Sequence, residues 1–161
     1  MIDKTRLVGH YKVEHRDITG RLLAIYEIPN AVVTVGANHI LDVEFHGAAA
    51  STLWYIGLID NAGWTAFNSA DTLAIHSGWT EATVYSGNRP QWTAGAAATR
   101  AITNATTVDF AITSGATLKG IFICNASSGS SGVLWSEAAF SSLVTVNNGD
   151  TLKTTYTLSI P

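Results

Sequence analysis

Hydrophobic and polar positions alternate along the first thirty residues, which predicts two strands joined by a turn. In residues 6–16, apolar or small side chains take every second position, and mostly charged or histidine side chains take the positions between them. A period of two residues is typical of a strand with one buried face. Residues 17–20 end in Gly20, which favours a turn, and residues 21–28 form the predicted returning strand. We therefore predict an N-terminal β-hairpin.

The period changes in the next segment, where apolar residues recur at helical spacing. Ala37, Leu41 and Phe45 lie four residues apart, and Gly47 follows them. This spacing predicts a short amphipathic α-helix over about residues 36–46, with these three side chains on its buried face. Gly47 is typical of the residue that ends a helix.

From residue 53 onward, short apolar or alternating runs are separated by turn residues. Residues 53–59 and 118–125 are apolar on both faces, which predicts strands covered on both sides. Residues 68–77 predict one or two helical turns, and the Gly- and Ser-rich residues 127–132 predict a flexible loop. Further strands are predicted in five runs: 79–85, 91–98, 106–113, 133–137 and 151–160.

The complete pattern predicts an all-β fold. We expect an antiparallel, jelly-roll-like β-sandwich of about nine strands with one short α-helix. The length of 161 residues corresponds to one domain, so residues 1–161 are assigned to a single domain. Within it, residues 1–30 are expected to form an N-terminal hairpin or arm, and residues 31–161 the sandwich core.

Composition and charge narrow the possible partners. Charged residues make up 13% of the chain, the net charge is −3 and the isoelectric point is about 5.9, which argues against binding to nucleic acid or anionic lipid. The longest strongly apolar run, residues 53–59, is much shorter than the ~18 residues of a membrane-spanning helix. We therefore expect neither nucleic acid nor a membrane as a partner.

Small uncharged residues dominate the rest of the composition. Serine and threonine together supply 33 residues and alanine 22. Because burying a hydroxyl costs less than burying an ion, a surface of this kind is easily desolvated. This favours a protein whose outer faces are covered by further copies or by a larger assembly, although a secreted β-sandwich has a similar composition.

The histidine and cysteine residues do not predict a metal site. His39, Asp42 and His46 lie on one face of the predicted helix, but the first and last are two turns, ~10 Å, apart. Zinc requires ligands at about 2 Å from one ion. The single cysteine, Cys124, lies in an apolar strand and is interpreted as a buried small side chain. We predict no metal and no cofactor.

No catalytic arrangement emerges from the acidic and nucleophilic residues. The chain contains no Gly-x-Ser-x-Gly elbow and no phosphate-binding glycine motif. Five carboxylates are scattered through the predicted sandwich, and their strand positions do not bring two of them together. They are Asp60, Asp71, Glu81, Asp109 and Glu137. We predict that the protein is not an enzyme.

Tryptophan offers a different kind of candidate site. Of the five tryptophans, Trp54 and Trp79 lie in apolar strand contexts and are expected in the core. Trp64 follows a turn glycine, and Trp92 follows Pro90. Trp64 and Trp92 are therefore the candidate exposed aromatic contacts for a sugar or a receptor.

Eight short segments carry a family resemblance. They are 54–60 (WYIGLID), 65–67 (TAF), 70–72 (ADT), 76–81 (HSGWTE), 89–92 (RPQW), 117–122 (TLKGIF), 134–138 (LWSEA) and 149–152 (GDTL). Over about residues 30–160, the chain resembles a family of small structural proteins of tailed bacteriophages.

The resemblance implies a head decoration, or cement, protein on the outer surface of the capsid, made in the host cytoplasm. Its implied partners are the major capsid protein and further copies of itself, as a dimer or trimer. The alternative in the same lineage is a head- or tail-fibre module that binds a host-surface glycan or receptor through exposed aromatics.

Charge concentrates in the N-terminal segment. Residues 1–46 hold eleven of the twenty-one charged residues and four of the five histidines. We therefore expect this segment to contact the capsid or a neighbouring copy, with the alternative that it only adds a hairpin to a sheet. The candidate assembly contacts are Arg6, His10, Lys12, Arg16 and Arg21.

Overall fold

A computed structural model describes residues 6–161 as eleven β-strands and one α-helix. The strands are β1 (Val8–Arg16), β2 (Leu22–Pro29), β3 (Ala31–Val32), β4 (Trp54–Asp60), β5 (Glu81–Ala82), β6 (Gln91–Trp92), β7 (Ala101–Thr103), β8 (Val108–Ala111), β9 (Ala116–Cys124), β10 (Leu134–Val146) and β11 (Thr151–Ser159). The helix, α1, spans Thr34–Phe45. In the described part of the chain, no helix combines the length and hydropathy needed to cross a membrane.

The strands form two antiparallel sheets that pack face to face. Sheet A has the order β2-β1-β11, with β7 and β8 paired to the two ends of β11. Sheet B has the order β3-β10-β9-β4, with β5 and β6 paired to β4. The predicted all-β sandwich is confirmed. The eleven strands exceed the predicted nine because β3 and β7, with two and three residues, are too short to show a period.

In both sheets, strands that are far apart in the sequence pair with each other. In sheet A, β1 pairs with β11 along its whole length, from Val8 opposite Ser159 to Arg16 opposite Thr151. In sheet B, β3 pairs with β10. An early strand is thus paired with a late one in both sheets, while β9 and β10 form a hairpin.

Two hydrophobic clusters explain the strands that are apolar on both faces. The larger cluster lies between the sheets and includes Ile56 and Leu58 of β4. The smaller cluster lies on the other face of sheet B and includes Ile59 and Phe122. Leu73, in the segment that joins β4 to β5, packs into this second cluster. That segment forms turns, so the helical turns predicted over residues 68–77 are wrong.

The orientation of α1 differs from the prediction. The side chains of Leu41 and Phe45 are 56% and 84% exposed, and Ala37 is also exposed, so the predicted buried stripe faces solvent. The only fully buried residue of α1 is Gly36. A Cβ at this position would lie 2.4 Å from the carbonyl oxygen of Trp135. The helix therefore approaches β10 through its smallest residue, and backbone contact overrides the amphipathic pattern.

Candidate functional site

The predicted assembly contacts lie on or beside the outer face of sheet A. Tyr11 and Val13 point into the core, and the alternation of β1 turns His10, Lys12 and Arg16 outward. Two of the five lie outside strands: Arg6 is exposed ahead of β1, and Arg21 is exposed in the turn before β2. β1 lies between β2 and β11 and pairs with both, so both edges of its backbone are occupied by strand pairing within sheet A.

Threonines from the neighbouring strands complete this surface. The register places Thr157, Thr155 and Thr151 of β11 opposite the three outward residues of β1. β7 and β8 continue the same rows beyond β11. We call this surface the assembly face, which comprises His10, Lys12, Glu14, Arg16, Thr103, Asp109, Thr151, Lys153, Thr155 and Thr157.

Each carboxylate of the assembly face pairs with at least one cation of the same face. Glu14 lies 2.8 Å from Arg16 and 3.2 Å from Lys12, and Lys153 pairs with Asp109. The hydrogen bonds from Arg16 and Lys12 lower the pKa of Glu14, so its carboxylate stays charged. The result is a surface of hydroxyls, methyl groups and internally paired charges.

A similar local arrangement holds Arg21 in the neighbouring turn. Its Nε donates to Asp17 at 3.0 Å. The hydroxyl of Thr19 and the backbone and side chain of Arg21 bond the same carboxylate, and they lower the pKa of Asp17 to about 2. The turn therefore presents Arg21 as part of a fixed ion pair at the edge of the assembly face.

The two tryptophans predicted as exposed contacts have different surroundings. Trp64 is half-buried, packs edge-on against Phe67 at 4.6 Å, and lies 5.4 Å beneath the Lys119 ammonium. Trp92 is only 8% exposed and donates its indole N–H to Asn104 at 2.7 Å. Its expected exposure is therefore wrong, because β6 pairs with β4 and directs this ring into the core.

A cavity of about 300 Å³ lies between α1 and the strands beneath it. Four aromatic side chains line it: Trp54, Trp92, Trp135 and Tyr156. The sequence predicts a core position for Trp54 and makes no prediction for Trp135. The signal that connects them is only three-dimensional, because the four rings come from four different strands.

A buried pair of carboxylates occupies the second hydrophobic cluster. Asp71 and Glu137 both accept the indole N–H of Trp79, and His76 stacks on that indole at 3.8 Å. The sequence predicts that these carboxylates are scattered, which is wrong for this pair because the segment between β4 and β5 folds over sheet B. The exposed fractions of Asp71 and Glu137 are 6% and 1%, so they lie away from solvent.

Arg89 forms another buried polar cluster. It makes two hydrogen bonds to Glu81, at 2.6 and 2.7 Å, and donates to the carbonyls of Ala126 and Gly129. The loop 127–132 was predicted to be flexible, but Arg89 fixes its first residues against β5. The guanidinium lies 5.3 Å from the ring of Phe122, and all of these contacts are structural.

Neither metal chemistry nor relatives assign a function to these clusters. Within residues 6–161, no group of three or more His, Cys, Asp or Glu side chains is placed to hold a metal ion. A scan against protein-family models gave no match, and neither did a search of curated proteins.

Proposed function

We propose that this chain is a non-enzymatic structural protein of a tailed-bacteriophage virion that decorates and stabilises the outer surface of the capsid. The observation that supports this best is the assembly face, on which paired charges and threonines form a broad outer surface of sheet A. The eight sequence segments that resemble phage structural proteins support the same role.

The physical argument concerns desolvation. Specific protein interfaces bury at least ~1,000 Å² in total. Burial of threonine side chains removes hydroxyls rather than ions from water, which is the less costly process. The Glu14 pairs with Lys12 and Arg16 already exist in the free protein, so binding does not have to order these side chains.

Stabilisation follows from preferential binding. A protein that binds the assembled lattice and not free subunits shifts the equilibrium toward the intact shell by mass action. The proposed partners are the major capsid protein and neighbouring copies in a dimer or trimer. In this proposal, Arg6, His10 and Arg21 contact the partner at the border of the assembly face, and the protein is made in the host cytoplasm and resides on the virion exterior.

The test adds purified protein to heads that lack it and measures occupancy and the temperature of DNA release. Thr155→Arg introduces an unpaired charge at the centre of the assembly face and should lower occupancy at least tenfold. Thr145→Arg makes the same change on an exposed strand position of sheet B and should bind normally. Equal binding of both variants would contradict the assignment of the face. Density for this chain at the tail tip alone, in electron micrographs of the virion, would contradict the capsid role.

The second candidate function is a fibre module that binds a host-surface glycan. Trp64 favours it, because this residue is only half-buried and keeps part of its aromatic surface exposed. A glycan array tests it directly. Binding that is lost in Trp64→Ala but retained in wild type would support the fibre role, and an array without binding would oppose it.

A further inference from the structure

We propose that the cavity beneath α1 binds a small organic cation with a hydrocarbon shell, such as an alkylammonium ion. This proposal does not depend on the proposed function, because the cavity and the assembly face are different surfaces. It is based on the size of the cavity, the arrangement of its aromatic rings and the charge of its lining.

The size and position of the cavity are those of a ligand site. Its volume of about 300 Å³ is within the range of small-molecule pockets. The lining includes Glu44 and Ala50, both of which are exposed, so the cavity opens to solvent at this rim. The inner face of α1 contributes Ile40 and Val43, and thus the helix forms one wall.

The aromatic rings that line the cavity differ in orientation. Trp54 and Trp135 are 6.3 Å apart with an angle of 71° between their planes. Trp92 and Tyr156 are 5.6 Å apart with an angle of 70°. The rings of each pair contact one another edge to face, so the wall of the cavity includes aromatic rings in different orientations.

Hydrogen bonds hold these rings in place. Trp135 donates its indole N–H to the hydroxyl of Tyr156 at 2.8 Å, and Trp92 donates to Asn104 at 2.7 Å. Asn30 donates to the same Tyr156 hydroxyl at 2.9 Å. The indole N–H groups of Trp92 and Trp135 therefore already have partners, and these two rings offer hydrocarbon and π surface to a ligand.

The lining favours positive charge. Glu44 supplies a carboxylate, and the lining residues, all of them in the described part of the chain, contain no Lys or Arg. The other polar groups, His39 and Ser51, bond to each other at 3.0 Å, and Asn125 also donates to Ser51. Aromatic faces attract cations through their quadrupole, most strongly for tryptophan. An anion would meet only the carboxylate and the negative ring faces, whereas an alkylated cation matches both the charge and the apolar walls.

The experiment compares choline with its neutral isostere 3,3-dimethyl-1-butanol by tryptophan fluorescence and calorimetry. Choline should bind about tenfold more tightly, as expected for a cation–π difference of roughly 1.4 kcal/mol. Phosphocholine should bind more weakly than choline, because its phosphate approaches Glu44. Equal affinity for choline and the alcohol, or no binding of choline at millimolar concentration, would overturn the proposal.

Variants locate the site. Trp54→Leu should abolish choline binding, and Glu44→Gln should weaken it about threefold to tenfold through the loss of the rim charge. Glu44 is exposed, so its variant should fold normally even if the Trp54 variant does not. Glu27→Gln removes an exposed carboxylate of β2, outside the cavity lining, and should leave the affinity unchanged. Wild-type affinity in a folded Glu44→Gln variant would overturn the role of the rim carboxylate.

Discussion

Trp79 donates its indole N–H to the carboxyl group of Glu137 at 3.0 Å, in the interior of the second hydrophobic cluster. The same N–H reaches Asp71 at 3.2 Å, so two acidic groups share one donor. Burial, reinforced by the negative charge of Asp71, raises the pKa of Glu137 to about 8. At neutral pH, Glu137 is therefore mostly protonated in the folded protein.

This protonation predicts an unusual dependence of stability on pH. The folded pKa of Glu137 is above the ordinary value of 4.5, so the folded state binds a proton more tightly than the unfolded state between these values. The stabilisation is complete below pH 4.5 and is lost as the pH rises through about 8. We expect the free energy of unfolding to fall across this window by up to about 1.4 kcal/mol per pH unit.

Urea unfolding at pH 5, 6, 7 and 8 measures this effect. Glu137→Gln keeps a neutral side chain of similar shape, so the free energy of unfolding of this variant should not fall as the pH rises. At pH 8, the variant should be at least as stable as wild type. Glu27→Gln, at an exposed position of β2, should retain the wild-type slope. If the Glu137→Gln and wild-type curves were parallel, the raised pKa would be disproved.

Arg89 is expected to be essential for the order of the loop formed by residues 127–132. Arg89→Ala removes the cationic partner of Glu81 and the hydrogen bonds that the guanidinium donates to the carbonyls of Ala126 and Gly129. Loss of one partner from a fully buried ion pair costs about 3–5 kcal/mol, and a smaller loss of about 1–3 kcal/mol applies here because 23% of the Glu81 side chain is exposed. We expect that loss in urea unfolding, together with faster cleavage of residues 127–132 by subtilisin.

Arg100→Ala provides the matched control for Arg89. Arg100 is exposed, and its guanidinium donates to the carbonyl of Pro161 at the surface. Its replacement should change stability by less than about 0.5 kcal/mol. Resistance of the Arg89→Ala loop to subtilisin would show that this loop is ordered by its own contacts.

Gly36→Ala should destabilise the protein, although alanine normally favours a helix by about 1 kcal/mol. The added Cβ would lie 2.4 Å from the carbonyl oxygen of Trp135, so α1 must move away from β10. Overpacking of this kind costs about 1–3 kcal/mol. Gly115→Ala is the control, because its Cβ would lie 3.6 Å from the nearest atom and should be tolerated. A Gly36→Ala protein as stable as wild type would show that α1 shifts without cost.

The thiol of Cys124 should be unreactive in the native protein. It is completely buried, and burial raises the pKa of its thiol, so little of the reactive thiolate forms. We expect no reaction with Ellman's reagent under native conditions and reaction of one thiol per chain in denaturant. Rapid labelling of the native protein would indicate local opening of β9.

The parts of the fold that were predicted correctly depend on local pattern. The alternation of β1 places Tyr11 in the core and Lys12 outside, as a period of two requires. The apolar runs of β4 and β9 are covered on both sides, as their composition indicates. In these segments, neighbouring residues alone determine which face is buried.

The parts that were missed depend on contacts between distant segments. The orientation of α1 depends on the close contact between Gly36 and the backbone of Trp135. A pattern of hydrophobic and polar side chains does not predict a contact between two backbones. Asp71 and Glu137 meet because a segment of turns folds over sheet B. The rings of the cavity likewise converge from four strands, so their separate sequence contexts did not predict that they meet.

The pairing of β1 with β11 has a consequence for biosynthesis. The hydroxyl of Ser159 donates to the carbonyl of Val8, and 151 positions of sequence separate the two residues. β1 therefore cannot complete its pairing until β11, which is translated much later, has been synthesised. Until β11 has been translated, the hairpin of β1 and β2 exposes the unpaired edge of β1 and the apolar side chains that later pack between the two sheets. Sheet A is therefore expected to complete its folding only after β11 has been synthesised, and a nascent polypeptide stalled before β11 should be a target for chaperones and proteases.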